Sequence, residues 1–376
     1  MRPVWAEVDL GAIARNVAVL RAHAAPAAFC AVVKADGYGH GAAAAAGAAL
    51  AGGADVLAVA LVSEGNELRR EGIDAVVLVL SQASPDELDE LVAGDLDATV
   101  YTEVGVRDLA DAAARAGRGT DRPMRVHLKV DTGMHRVGAQ PADAVGLAKA
   151  IDAAAGLELR SVFTHFAVAD EPGNPFTAVQ LERFSHAVAE IEAAGLEVPC
   201  IHAANTAASI DHPAARLDLV RVGIGSYGID PAPALAGRVR LEPALSLHAR
   251  VSHVKRVGAG EGISYGLRYR PAVETTIATV PLGYADGLPW RLGSSGGTVL
   301  VGGAERPIAG SVTMDQILVD CGDEQVEVGD PVVLIGRQGD AEITAASWAE
   351  RLGTIAYEVV CGISPRVPRL YRETTP

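Results

Sequence analysis

Short apolar runs alternate with helical patterns eight times over the first two thirds of the chain, and this alternation limits its possible folds more than any single motif. The runs fall at 27–34, 56–62, 75–80, 97–101, 124–131, 159–166, 200–204 and 218–224. Between them lie Ala/Leu/Glu/Arg-rich segments such as SEGNELRREG, SPDELDELVAGD and TAVQLERFSHAVAEIEAAG, several opening on Ser or Thr and closing on Gly, the usual helix start and stop signals. A helix long enough to run back along a buried strand returns the chain to that strand's starting end, which suits a parallel neighbour. Eight such units therefore predict an α/β fold of the (β/α)8 TIM-barrel class. The eighth unit carries the weakest pattern, because its helices are short.

From Pro231 to Pro243 the sequence PAPALAGRVRLEP reads as a linker. Beyond it, apolar and polar residues alternate between glycine turns (SLHARVSHVKRV, TTIATVPLGYADG, GGTVLVGG, RPIAGSVTMDQILVD, DPVVLIG), with one helical stretch at AASWAERLG. The expectation is a barrel over 1–235 and a mainly β domain over 236–376, with the opening run WAEVDL a candidate to pair into the second domain.

A net charge of −15 argues against nucleic acid or an anionic membrane as partner, since both select basic surfaces. The N-terminal MRPVWAEVDL lacks the apolar core of a signal peptide, and no stretch is long and apolar enough to span a bilayer. Cys30, Cys200, Cys321 and Cys361 show no CxxC spacing, as expected of reduced thiols in a cytoplasmic protein. The histidines have no metal-ligand spacing, so no metal is expected; His127 and His202 read as core residues.

In a barrel the chemistry gathers at the carboxyl ends of the strands. Those ends carry Lys34, Lys129 with Asp131 and the following TGMHR containing Arg136, then His165, Asn205 with Thr206, and Arg221 before Gly223, Ile224 and Gly225. Lys34 is one of four lysines among 32 basic side chains and follows the buried-strand pattern AAFCAVV. It is either a lysine snorkelling to water or a desolvated, reactive amine. The glycines of RVGIGSYG serve either as punctuation or as a phosphate cradle. An imine-forming amine opposite a phosphate cradle describes a site for pyridoxal 5′-phosphate.

The strings AVVKADGYGHG, HLKVDTGMHRVG, THFA, RVGIGSYG, ISYG, PLGYADG, MDQ and YEVVCGISPRVPR, taken in order over nearly the whole chain, resemble the motifs of bacterial alanine racemases. The resemblance implies a pyridoxal-phosphate-dependent isomerase with a barrel and a mostly β domain, acting as a homodimer with shared active sites and supplying D-alanine for peptidoglycan. By motif, Lys34 would hold the cofactor covalently and Tyr38 lie beside it. Tyr265 would reach into the partner's site as the second base. Arg221 would meet the pyridine nitrogen. Asn205, Thr206, Gly223, Ile224 and Tyr357 would surround the phosphate, and His165 would lie near the cofactor. Arg136 and Met314 would contact the substrate carboxylate, and Lys129 would be a carbamylation site.

Two opposed bases suit a reaction that removes a proton from one face of Cα and returns one to the other. An arginine at the ring nitrogen keeps its own proton and leaves the ring a weaker electron sink, which disfavours a decarboxylase of similar fold. A pyridoxal-phosphate homeostasis protein would lack the second domain, and a sugar-phosphate barrel enzyme would leave the lysine unmodified. Arg221 paired with Asp218 or Asp230, and Lys129 paired with Asp131, are the plainer alternatives for those residues. Thr313, Pro365 and His135 depart from the expected motifs and leave a serine or broad-specificity racemase open.

Overall fold

The computed structural model describes residues 2–373, and the chain divides into two compact units: 12–37 with 42–242, and the residues up to 11 with 38–41 and from 243 onward. After β1 (Val4–Asp9), which belongs to the second unit, the first unit contains eight strands. They are β2 (Ala28–Val32), β3 (Val56–Val59), β4 (Val77–Val79), β5 (Ala98–Val100), β6 (Met124–Lys129), β7 (Leu157–Phe163), β8 (Ile201–His202) and β9 (Leu219–Val222). Each falls within or overlaps one of the eight apolar runs.

Parallel ladders join β4-β3-β2-β9 and β5-β6-β7-β8. The two sets meet through the Leu78–Asp97 bridge and through the amides of Asp218 and Arg221, which donate to the carbonyls of Ile201 and Ala204. The barrel is thus closed, with no free strand edge, as the alternating pattern requires. Helices cover its outside with apolar faces. In Glu103–Arg115, for example, Val106, Leu109, Ala112 and Ala113 are buried, and the capping Thr102 hydroxyl accepts the Gly105 N–H at 2.9 Å. Leu235 and Val239 join this same core, and their burial carries the first unit to 242 rather than 235.

The second unit is mainly β. Its strands are β10 (Leu245–Arg250), β11 (His253–Val257), β12 (Thr275–Val280), β13 (Thr298–Val301), β14 (Ala304–Pro307), β15 (Ile317–Asp320), β16 (Pro331–Gln338), β17 (Ala341–Ile343) and β18 (Arg369–Arg372). One sheet runs β14-β13-β16-β10-β1-β18 with β17 on β16; a second runs β11-β12-β15. β1 pairs antiparallel with β10 and parallel with β18, burying Val4, Ala6 and Val8 on one face. The helix at Ala345–Leu352 is capped by Thr344 and ends at Gly353, whose φ of 68° suits glycine. A further helix, Ala356–Cys361, lies where the sequence showed only a motif.

Candidate active site

Strand β2 delivers Lys34 to the barrel mouth, and the chain then takes an unusual path. Ala35, Asp36 and Gly37 adopt φ of 53°, 53° and 59° with ψ of 52°, 48° and 43°, a left-handed helical turn that continues at Tyr38 with φ of 53°. For each non-glycine residue this conformation costs roughly 1–2 kcal/mol, so it persists only where surrounding groups enforce it. The Asp36 carboxylate accepts the Ala42 N–H at 2.8 Å, and the Gly37 N–H donates to the Val33 carbonyl at 2.9 Å. The Ala35 N–H donates to a Glu64 carboxylate oxygen at 2.7 Å. The glycines of KADGYG mark a turn, but nothing in the sequence reveals its hand.

Five basic groups from four strand ends converge here, Lys129 and Arg136 sharing the end of β6. The Lys129 amine is pushed down from its ordinary 10.5 to about 8, first by burial and then by the charges of Arg221, Arg136 and Lys34. His165 is held well below its ordinary range by burial and by Arg221, Lys129, Arg136 and Lys34. Lys34, Lys129, Arg136, His165 and Arg221 therefore share one electropositive pocket. Asp131 does not form a close pair with Lys129. Its carboxylate instead accepts the Gly133 and His135 N–H groups at 2.9 and 3.1 Å, which fold the TGMHR turn carrying Arg136 and hold the Asp131 pKa down. The Lys129 ammonium lies 5.5 Å from the centroid of the Phe163 ring.

Arg221 is buried at 4% exposure and is not paired with Asp218 or Asp230. Those carboxylates accept the amides of Ile201 and Gly237. Arg221 donates to the Thr164 and Ala203 carbonyls at 2.7 and 3.0 Å, to His165 Nδ1 at 3.2 Å and to His202 Nδ1 at 2.8 Å. Burial lowers its pKa to about 10, which leaves it protonated at neutral pH.

The bond to His202 begins a relay that sequence reasoning missed. A guanidinium only donates, so His202 Nδ1 must accept and its proton must sit on Nε2. That N–H reaches Ser161 Oγ at 2.8 Å, Ser161 lies 2.6 Å from His127 Nδ1, and His127 Nε2 lies 3.0 Å from Asp97 Oδ2. One proton placement satisfies every link, with all donors pointing from Arg221 toward Asp97. Arg125 Nε closes the far end on Asp97 Oδ1 at 2.5 Å. His202 is also stacked on Phe163, with ring centroids 4.8 Å apart, and burial keeps it neutral. The available clue was polar residues two positions apart along β6 (His127, Lys129) and two positions inward of the mouth on its neighbours.

Asn205 caps the short helix Thr206–Asp211 by accepting the Ala208 N–H at 3.0 Å, while Thr206 Oγ1 accepts the Gly223 N–H at 3.1 Å. Gly223 and Ile224 open the turn Ile224–Tyr227. At Gly225 a Cβ would lie 2.8 Å from Thr206 Cγ2, so this close approach depends on glycine. The segments ending β8 and β9 thus form a tight cradle of small residues within the electropositive mouth, as a phosphorylated ligand such as pyridoxal phosphate requires.

Tyr265, Met314, Tyr38 and Tyr357 lie in the second unit. Tyr265 is 76% exposed on a loop whose flanking Ser264, Gly266 and Leu267 all have positive φ. Reciprocal bonds brace it: Ser264 Oγ donates to the Ser311 carbonyl at 3.0 Å, and Ser311 Oγ donates to the Tyr265 carbonyl at 3.2 Å. Tyr265, Tyr284, Trp290 and Met314 line a cleft of about 780 Å³. The PLGYADG and MDQ motifs are zipped together, the amides of Tyr284 and Ala285 donating to the carbonyls of Thr313 and Met314. A Cβ at Gly283 would come within 2.2 Å of the Thr313 oxygen. The rings of Tyr38 and Tyr357 are 6.2 Å apart.

Both units have counterparts among known proteins. The family model "Alanine racemase, N-terminal domain" matches residues 8–231, and "Alanine racemase, C-terminal domain" matches residues 244–371. The alanine racemase of Symbiobacterium thermophilum is 50% identical over 99% of this chain and 97% of its own length. That of Thermobifida fusca is 46% identical over 97% of each. The crystal structure of alanine racemase from D-cycloserine-producing Streptomyces lavendulae superposes with a TM-score of 0.94 at 40% identity, covering 100% of this chain and 98% of that one. With both family models matched in order and both units reproduced in a solved relative, this chain belongs to the alanine racemase family.

Proposed function

We propose that the chain interconverts L- and D-alanine with pyridoxal 5′-phosphate at the barrel mouth, working as a cytoplasmic homodimer that supplies D-alanine for cell-wall peptide. The observation that carries this is the convergence of Lys34, Lys129, Arg136, His165 and Arg221, which calls for a ligand bearing several negative charges. A phosphate and a substrate carboxylate provide them. Lys34 would hold the cofactor covalently. Asn205, Thr206, Gly223 and Ile224 would hold its phosphate together with Tyr357, Tyr38 would lie beside it, and Arg221 would face its ring nitrogen. The cofactor supplies an electron-withdrawing ring that acidifies the substrate Cα–H.

The protein's own groups do the rest. Lys34 takes or returns a proton at one face of Cα, and Tyr265 of the partner subunit does so at the other. Arg136 and Met314 orient the substrate carboxylate. Arg221 keeps its proton, because its hydrogen bonds and its pKa of about 10 hold it as a cation. The exposed Tyr265, Leu267, Trp290 and Met314, at 76, 54, 56 and 53% exposure, form an apolar surface suited to a second copy of the chain. Among the described residues no helix is long and apolar enough to cross a membrane.

The test is incubation with L-alanine in deuterium oxide. D-alanine should appear with solvent deuterium at Cα while the remaining L-alanine stays largely unlabelled at early times. Labelled L-alanine without inversion would refute the two-base reading, and a protein without visible-range cofactor absorbance would refute the whole reading.

Lys129 completes the proposal as a carbamylation site. Its amine, brought to about 8, has a substantial neutral fraction near neutrality. The nitrogen lone pair adds to CO2 and releases a proton, leaving an anionic carbamate that holds the Arg136 fork. In CO2-depleted buffer the uncarbamylated cation is a liability. Below the folded pKa of about 8 both native and unfolded chains are protonated and the native state bears the full penalty, roughly 3 kcal/mol; as pH rises from about 8 to 10.5 the penalty disappears. Lys129→Met should therefore stabilise the cofactor-free protein against urea by about 2–3 kcal/mol at pH 7, with the gain fading by pH 10. Bicarbonate should narrow the gap and add the mass of CO2 to the wild type alone. Equal stability of the two proteins at pH 7 without CO2 would contradict the buried-cation account.

A further inference from the structure

We infer that Glu64 is a positioning residue for Lys34: its carboxylate bridges two barrel loops and holds the left-handed turn that aims the lysine. The inference rests on the reading of Lys34 as the cofactor-binding residue.

Glu64 stands in the first turn of the helix Val62–Arg70. One oxygen, Oε2, accepts the Ala60 and Leu61 N–H groups at 2.8 and 3.1 Å, which is the ordinary work of a glutamate near a helix start. The other, Oε1, reaches out of its own βα unit to accept the Ala35 N–H at 2.7 Å. Local capping needs one acceptor oxygen, and the second bond serves the loop after β2.

The Ala35 N–H belongs to the peptide plane that begins at the Lys34 carbonyl, so fixing it fixes ψ of Lys34. On the other side the Val33 carbonyl, which shares its peptide plane with the Lys34 N–H, accepts the Gly37 N–H at 2.9 Å. Lys34 is thus suspended between two anchored peptide planes, and its Cα–Cβ bond has one direction. The turn beyond it places Ala35 and Asp36 in backbone space that L-residues avoid. Without an acceptor at Ala35 this turn has a lower-energy way to relax, and relaxation would rotate Lys34. A carboxylate can accept at both ends. A glutamine there must present its NH2 to one set of N–H donors, so Glu64→Gln can retain the local cap while losing the bond to Ala35.

The experiment compares wild type, Glu64→Gln and the double variant Glu64→Gln/Ala35→Gly. In the cofactor-free protein, amide exchange of the peptide covering 34–37 should rise at least tenfold in Glu64→Gln, with the barrel strands unchanged. In the loaded enzyme kcat should fall at least tenfold with KM within twofold, and the pH midpoint of the cofactor's visible absorbance should shift. Ala35→Gly makes the left-handed conformation inexpensive without the clamp and should recover kcat at least threefold.

Unchanged exchange would overturn the clamp. Faster exchange with unchanged kcat and absorbance midpoint would leave Glu64 a helix cap only, and lack of recovery in the double variant would overturn the role of backbone strain. Failure of the underlying reading is separable: wild-type protein treated with cofactor and borohydride would then show no adduct at Lys34.

Discussion

Lys34→Ala should fold, bind no cofactor that borohydride can fix to the chain, and racemise alanine at least about 10³-fold more slowly than wild type. On the proposed reading two separate roles would end with the one amine: covalent attachment of the cofactor and proton transfer at one face of Cα. Groups that act as a unit lose nearly everything when one is removed, so restoring weak cofactor binding at high concentration should recover little turnover. The fold is not at risk, since Lys34 is half-buried at a strand end and the backbone around it is held by Val33, Glu64 and Asp36. Its neighbours should register the change. Removing one cation from the pocket should raise the pKa values of Lys129 and His165, because the Lys34 charge helps depress both. A ring-proton titration of His165 checks this independently of turnover.

Tyr265→Phe is the second large effect, and it has a different form. Racemisation should fall at least about 10³-fold, while solvent exchange at Cα persists for the enantiomer whose proton Lys34 handles. Stability should change by less than about 0.5 kcal/mol, since the lost hydroxyl belongs to a ring that is 76% exposed. Mixing decides the subunit origin of the base. A heterodimer of Lys34→Ala and Tyr265→Phe chains contains one site with both defects and one with neither, if each site draws its tyrosine from the other chain. Random pairing should then restore roughly a quarter of wild-type activity from two nearly inactive parents. No restoration on mixing would place both bases on one chain.

How much of the molecule is legible in the sequence depends on what each feature rests on. The eight barrel strands are visible because burial and capping are local signals, and even the two-residue strand Ile201–His202 lies inside an apolar run. The cluster of cations emerges once strand ends are assigned. Register is not legible. That His127 stands beside Ser161, and Phe163 beside His202, is set by the stagger of the closed barrel, which no single strand encodes. His127 and His202 accordingly read as ordinary core residues until the ladders are known. The pairing of Lys129 with Asp131 fails for the opposite reason: β6 ends at Lys129, and the chain beyond it curls so that Asp131 serves its own turn. The clamp at Ala35 is hidden because Glu64 reads as a helix-start residue, and only the left-handed backbone reveals its second task.

The buried relay couples parts of a barrel that are usually independent. Asp97 sits just before β5, at the floor of the barrel, where residues ordinarily contribute to durability alone. Here a floor carboxylate is wired through two imidazoles and a hydroxyl to the arginine at the mouth. A mutation at the base would alter the electrostatics of the catalytic end without touching it. This barrel therefore has fewer neutral positions than its fold allows, and the substitutions tolerated at Asp97, Ser161 and His127 should be limited by chemistry as much as by packing.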